Sequence, residues 1–143
     1  MNTISFSCTI QNNSHFDDLL VELWANNKKF FDSNITDTVN VDYVLNDDEA
    51  DHVLQIVLKN KTCKHTNVDI NGKILQDALI SVHNIKFDDI TVDELFFEHS
   101  VYTHDYNGTG PEMKDKFFGD IGCNGTVKFK FYTPFYMWLL EHM

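Results

Sequence analysis

The residues with the most specific chemistry lie in a glycine-rich segment between Thr103 and Gly125. Asp105, Asn107 and Thr109 occupy alternate positions there, and Gly110 follows them. Side-chain oxygens at this spacing, before a glycine turn, form the first half of a calcium-binding loop, because a tight turn directs hard ligands at a hard cation. The segment therefore predicts a calcium site.

The rest of the ligand shell has to come from beyond this first half. Lys116 stands at the twelfth loop position, where an EF-hand has a bidentate glutamate, and no helical pattern flanks the loop. We therefore reject an EF-hand and expect Glu112, with Asp120 as the other choice, to complete the shell. The structural alternative is an ordinary loop stabilised by Asx turns.

A second candidate is the polar run from Thr66 to Gly72. It contains Asp69 and Asn71, and an Asp-x-Asn-Gly sequence is typical of a hairpin turn. Ligand contact by Asp69 and Asn71 is the alternative interpretation.

Aromatic residues bracket the glycine-rich segment. Tyr102 lies directly before it, and Tyr106, Phe117 and Phe118 lie inside it. An exposed aromatic face can stack on a sugar ring or on a protein partner. We expect the phenylalanine pair to hold the loop against the core, and we name Tyr106 and Tyr102 as candidate ligand contacts.

No motif predicts catalysis. The seven histidines show neither HExxH nor HxH spacing, and the chain contains no GxSxG sequence. Adjacent acid pairs such as Asp47-Asp48 are typical of solvated turns. We therefore expect no catalytic residue and keep an enzyme as the third hypothesis.

Composition excludes several classes of partner. The 143 residues carry 11 lysines, no arginine and 22 acids, a formal charge of −11 that repels a phosphate backbone, so nucleic-acid binding is disfavoured. The most apolar stretch, Phe129 to Leu140, contains Lys130 and is shorter than the roughly 18 residues of a membrane span. The first residues lack a signal-peptide pattern. The cysteines Cys8, Cys63 and Cys123 are widely spaced, and this spacing predicts buried free thiols.

Alternation of apolar and polar residues dominates the chain and predicts β-strands. The segments with this pattern are Ile4–Ile10, Leu19–Trp24, Phe30–Phe31, Val39–Leu45, Val53–Leu58, Leu79–Phe87, Val92–Val101 and Thr126–Tyr132. Asn26-Asn27 predicts a hairpin turn, and the shift of apolar parity near His83-Asn84 predicts a bulge.

The end of the chain has a different pattern. Thr133 can cap a helix, Pro134 suits its first turn, and apolar residues follow at helical spacing as far as Leu140. The sequence as a whole predicts an all-β fold: an antiparallel β-sandwich or jelly roll of seven or eight strands with a short C-terminal helix, in one domain over residues 1–143.

Most of the chain beyond about residue 50 resembles small proteins of unassigned function from marine T4-like cyanophages. The matching runs are Lys61-Thr62, His65-Thr66, Asp69, Gly72, Ile85-x-Phe87-Asp88, Tyr102-x-His104-Asp105-Tyr106-Asn107-Gly108, Lys116-Phe117-x-Gly119-x-x-Gly122-x-Asn124-Gly125 and Pro134-Phe135-x-x-Trp138-Leu139-Leu140-Glu141. This resemblance implies a phage origin, and with it a location in the virion or in the host cytoplasm during infection. It implies no activity.

A looser resemblance is to calcium-dependent xylan-binding modules. It rests on the order of Leu54–Asn60, the polar Thr66–Asp69 and the apolar Asp77–Ile85. It implies a non-catalytic carbohydrate-binding β-sandwich. The calcium ligands of those modules are not carried over, because their acidic loop has no unambiguous match in this chain.

Two hypotheses follow. The first is a non-catalytic phage binding module for a glycan or a virion protein, in which Asp105, Asn107, Thr109 and Glu112 hold calcium. The second is a structural virion protein whose strand edges and C-terminal helix, with Trp138, form a homo-oligomer interface.

Overall fold

The computed structural model describes residues 3–143. In this range the strands are β1 Thr3–Asn12, β2 Leu20–Ala25, β3 Lys28–Asn34, β4 Thr38–Asn46, β5 Asp51–Lys59, β6 Thr66–Val68, β7 Ile74–Asp77, β8 Ile80–Phe87, β9 Ile90–Thr91, β10 Ser100–His104, β11 Met113–Lys116, β12 Asp120–Ile121 and β13 Gly125–Tyr132. The helices are α1 Asp93–His99 and α2 Phe135–His142, with a 3-10 turn at Cys63–His65. The predicted all-β class and the C-terminal helix are confirmed.

Two antiparallel sheets form the sandwich. The first has the order β12-β8-β1-β4, with β9 paired to β8, and the second has the order β11-β10-β13-β5-β2-β3. A separate hairpin pairs β6 with β7. The prediction of seven or eight strands was too low, because two- to four-residue strands such as β9, β11 and β12 are too short to show an alternating pattern.

Aromatic side chains fill the space between the sheets. Phe87 of the first sheet lies 5.0 Å, ring centre to ring centre, from Phe131 of the second, and it stacks on Phe135 of α2 at 4.2 Å. Trp138 of α2 packs edge-on against Phe129 at 5.2 Å and is only 3% exposed. Helix α2 therefore closes one side of the core. Trp138 faces that core and is not available for an oligomer interface.

The segment Val92–Val101, predicted as a strand, is mostly helix α1. Asp93 and Glu94 lie in its first turn, where acidic side chains interact favourably with the helix dipole. The Asp93 carboxylate also accepts hydrogen bonds from the backbone nitrogens of Asn84 (3.0 Å) and Ile85 (2.6 Å). A short apolar run does not distinguish strand from helix by pattern alone, and these tertiary contacts stabilise the helix.

Two local predictions are confirmed. Asn26 and Asn27 adopt positive φ at the β2–β3 turn. The pairing of β1 with β8 shifts register between Ser7 and Thr9, opposite Asn84, which is the predicted bulge.

The thiol prediction holds only in part, since Cys8 is buried whereas Cys63 is exposed. No helix among the described residues has the length and apolar character required to cross a bilayer.

Candidate functional site

A wide concavity lies on the outer face of the six-stranded sheet. It has a volume of about 600 Å³ and is open to solvent on one side. We call it the sheet groove. Its lining comes from β5, β10, β13, the end of α1 and the segment around β11, and consists of Gln55, His99, Val101, Thr103, Glu112, Lys114, Thr126, Lys128 and Lys130. This volume falls in the range of sites that bind small molecules or short oligomers.

Strand alternation places these side chains on one face. In β13, Val127, Phe129 and Phe131 are buried, so the intervening Lys128 and Lys130 point outward. The antiparallel register then sets Lys128 between Val101 of β10 and Gln55 of β5. The groove is therefore a direct consequence of the core packing beneath it.

A second cross-strand row completes the groove. Thr126 lies opposite Thr103, and Thr103 lies opposite Lys114 on the edge strand β11. Hydroxyl and amide groups from Thr103, Thr126 and Gln55 supply both donors and acceptors in this face. The groove can thus form hydrogen bonds along its length.

The charged side chains of the sheet groove are mostly positive. Lys114, Lys128 and Lys130 lie there with one acid, Glu112. None of these lysines forms a salt bridge within 4.0 Å in residues 3–143; the lysines that do are Lys29, Lys59, Lys61 and Lys64. The groove is a local positive region in a chain of formal charge −11.

The same face continues past Gln55 to Trp24 of β2. The Trp24 indole is half-buried, donates to the Glu22 carboxylate at 3.1 Å, and lies under Lys29 at 5.9 Å. Burial alone raises the pKa of Glu22, but hydrogen bonds from Trp24 and Lys59 outweigh it and hold the pKa below its ordinary value. The lysines beside Trp24 are thus neutralised within the fold, unlike those of the groove.

His99 lines the groove at the end near Lys130. Its Nε2 atom is buried without a hydrogen-bond partner among the described residues. The ring packs edge-on against Trp138 and His142 of α2, with ring centres 5.5 and 5.1 Å away. His99 therefore joins the groove to the C-terminal helix.

The predicted calcium loop forms a tight turn after β10. Asp105 Oδ1 accepts a hydrogen bond from the Gly108 amide at 2.9 Å, and Asn107 Oδ1 accepts one from the Asn124 amide at 2.7 Å. Thr109 donates its hydroxyl proton to the Tyr106 carbonyl at 2.6 Å. The side-chain oxygens thus stabilise the loop itself, as in an Asx turn.

Glu112, the expected fourth ligand, lines the sheet groove. Within residues 3–143, no three side chains of His, Cys, Asp or Glu are grouped so that they could hold a metal ion. Calcium binding by this loop stays a prediction of the sequence.

The two candidate tyrosines differ in exposure. Tyr102 is 8% exposed, and its hydroxyl donates to the Cys123 carbonyl at 2.5 Å and accepts from the Cys123 amide at 2.8 Å. Burial raises the pKa of this phenol. Its ring is not free to stack on a ligand. Tyr106 is 45% exposed and rests edge-on against His104 at 4.8 Å, so its outer face is accessible.

Asp69 and Asn71 lie at the tip of the β6–β7 hairpin. Asp69 Oδ1 accepts hydrogen bonds from the Asn71 and Lys73 amides at 2.8 and 2.9 Å, which is the contact of a hairpin turn. A smaller pocket of about 230 Å³ lies near the base of the hairpin and is lined by Ser14, His15, Phe16, Lys64, His65, Thr66, Asn67, Gln76 and Ala78. Neither Asp69 nor Asn71 lines it.

A buried lysine that the sequence analysis did not predict as a site residue, Lys61, connects these loops. The Lys61 side chain is fully buried, and its ammonium donates to Asp77 Oδ1 at 2.6 Å, to the Ala78 carbonyl at 2.8 Å and to the Gly122 carbonyl. Thr66 donates to the same Asp77 oxygen at 2.7 Å. We call these oxygens, with the ammonium at their centre, the Lys61 cage.

Asn124 extends the Lys61 cage to the predicted calcium loop. Its side chain accepts from the Lys61 amide and donates to the Lys61 carbonyl, both at 2.8 Å. Its own amide donates to Asn107. A lysine ammonium therefore occupies an oxygen-rich position where segments near residues 61, 77, 107 and 122 meet.

Comparison with known proteins supports the fold. No protein-family model matches the chain, and no curated protein matches its sequence. A solved structure of vCBM60, one of the calcium-dependent carbohydrate-binding modules, aligns with a TM-score of 0.51 over 88% of this chain and 89% of its own, at 13% identity. The shared feature is the β-sandwich. At this identity the likeness shows the fold, and it confirms the structural part of the looser resemblance.

Proposed function

We propose that this protein is a non-catalytic module that binds a glycan in the sheet groove. The observation that carries the proposal is the groove itself: about 600 Å³ on an outer sheet face, lined with amide, hydroxyl and ammonium groups. The likeness to the fold of a carbohydrate-binding module supports it. A single carboxylate, Glu112, lines the groove, whereas glycoside hydrolysis typically uses a pair.

The test is binding to a panel of soluble polysaccharides by affinity electrophoresis, followed by calorimetry on oligosaccharides of any binder. We expect Gln55→Ala with Thr103→Ala to weaken binding, because both side chains offer hydrogen bonds to the groove. The matched control is Ser5→Ala with Ser7→Ala on β1, in the other sheet. Failure to bind any polysaccharide, or equal loss in both double variants, contradicts the proposal.

Calcium dependence and contact through Tyr106, Asp69 or Asn71 stay predictions of the sequence. The calcium prediction is tested by thermal unfolding in EDTA, with calcium then titrated back. A cation that binds only the folded state raises stability with its concentration. We expect a rise that Asp105→Ala abolishes and Asp89→Ala does not. An unchanged melting temperature removes calcium as a stabiliser of this fold.

Self-association, as in a phage virion, is the second proposal. The hairpin exposes Val68, Ile70, Ile74 and Leu75, and Ile70 is fully exposed. Helix α2 exposes Tyr136, Met137 and Leu140. Sedimentation velocity over a range of concentrations tests it: we expect dimers or larger species that Ile70→Ser with Leu75→Ser disperses. A monomer at all concentrations contradicts this second proposal.

A further inference from the structure

We infer that the ligand of the sheet groove is an anionic polysaccharide, one whose sugars carry carboxylate or sulfate groups. This inference rests on the proposed function and adds the chemical class of the glycan. Three observations carry it: the three groove lysines, their lack of a salt bridge within residues 3–143, and their spacing.

The groove lining carries a net positive charge. Three lysines and one glutamate give the groove lining a formal charge of +2, whereas the whole chain carries −11. Four lysines outside the groove are paired with acids; for example, Glu22 and Asp32 bind Lys29, and Asp18 binds Lys64. A positive groove attracts a negative ligand locally, although the net negative charge of the whole chain opposes that ligand at longer range.

The three groove lysines are spread along and across the sheet. Lys128 and Lys130 are two residues apart on β13, and so about 7 Å apart along the strand, given a rise of about 3.3 Å per residue. Lys114 lies on β11, two strands away from β13, and Thr103 of β10 lies between Lys114 and Thr126. Charges spread along a groove fit a chain with repeated negative groups better than one small anion. The hydroxyl and amide side chains between them fit the sugar hydroxyls.

The residue types in the groove lining disfavour a nucleic-acid ligand. The groove lining in residues 3–143 contains no Phe, Tyr or Trp side chain on which bases could stack, and no arginine is present in the sequence. Three lysines on a chain of −11 offer few phosphate contacts. The observations therefore favour an acidic glycan.

The experiment compares polygalacturonate, the same polymer after reduction of its carboxyl groups, dextran sulfate and a neutral xylan. The groove variant is Lys114→Gln, Lys128→Gln and Lys130→Gln. The matched control is Lys28→Gln, Lys73→Gln and Lys86→Gln, which changes the net charge equally and removes no groove side chain. We expect the groove variant to lose about tenfold in affinity for the acidic polymer, the sum of three modest ion pairs. The control should change little.

Glu112→Gln should change the affinity for the acidic polymer in the opposite direction from the lysine substitutions. Because this acid is the one negative charge in the groove lining, its removal should strengthen binding of the acidic polymer. If Glu112 were a ligand of a calcium ion required for binding, the same substitution would weaken it. Higher salt should weaken wild-type binding, since these charges are exposed.

The outcomes are distinguishable. Binding of xylan and of the reduced polymer as tightly as polygalacturonate keeps the glycan proposal and overturns the anionic class. Equal loss in the two triple variants overturns the groove as the site. Preference between polygalacturonate and dextran sulfate identifies carboxylate or sulfate as the recognised group. Equally tight, groove-dependent binding of single-stranded DNA overturns the inference in favour of a general polyanion site.

Discussion

Lysine has opposite roles in two regions of this molecule. In the Lys61 cage the ammonium is fully buried and bound by a carboxylate and two carbonyls. In the sheet groove, Lys128 and Lys130 lie on an outer face without a salt bridge among the described residues. The side chains are chemically identical, and their surroundings decide what each can do. A charge satisfied inside the fold stabilises loops, whereas an unsatisfied charge is free to meet a ligand.

Between these extremes is Lys64, which is exposed but paired. Its ammonium lies 2.5 Å from Asp18 Oδ2, and His65 Nε2 lies 2.8 Å from Asp18 Oδ1. The three environments give an ordered set of expectations for stability, from the buried cage to the open groove.

The largest effect is expected from Lys61→Met. The substitution keeps most of the apolar volume but leaves Asp77 and two carbonyls without their donor. Breaking a buried ion pair costs about 3–5 kcal/mol, and partial exposure of Asp77 favours the lower end, about 3 kcal/mol. The measurement is urea unfolding. Lys128→Met, the matched groove variant, should change stability by no more than about 0.5 kcal/mol. Equal effects at the two positions would remove the distinction between cage and groove.

Asn124→Ala should have the next largest effect. It removes both side-chain hydrogen bonds to the Lys61 backbone, and leaving such groups unpaired costs about 1–3 kcal/mol. The control is Asn46→Ala, at an exposed position at the end of β4. Hydrogen exchange of the Gly108 amide should also accelerate, because the Asn124 backbone amide, which donates to Asn107 in this loop, is no longer held in place by side-chain bonds to Lys61. Unchanged exchange would show that this loop is held independently of Lys61.

The smallest effect is expected from Asp18→Asn, and it depends on pH. Hydrogen bonds from His65 and then Lys64 lower the pKa of Asp18 from 3.8 to about 2. Because the folded pKa lies below the unfolded one, the stabilisation is present above about pH 4 and is lost as the pH falls toward 2. The variant should be less stable than wild type at pH 6, and the difference should shrink on acidification. Asp17→Asn serves as the control, and a pH-independent difference contradicts the assignment.

The sequence predicted much of the local structure and little of the site. The pattern Val127, Phe129, Phe131 against Lys128, Lys130 correctly separated the two faces of β13, which was the one sequence signal for the groove. Predictions of ligand contact instead named Tyr106, Tyr102, Asp69 and Asn71. The hydroxyl of Tyr102 is hydrogen-bonded to the Cys123 backbone in the core. Residue type suggested a chemistry for Tyr102, but burial decided its role.

Local sequence determined which side chains share a face, because the pleat of a strand fixes a period of two. It also determined the hairpin turn at Asn26-Asn27 and the C-terminal helix. Tertiary structure alone decided that Gln55, Thr103, Lys114 and Lys128 meet in one groove, since cross-strand pairing joins segments that are far apart in the chain. It likewise decided that Lys61 finds Asp77 and Gly122 rather than solvent. The physical reason is that both arrangements depend on hydrogen bonds and burial between distant segments, which no local pattern of residues encodes.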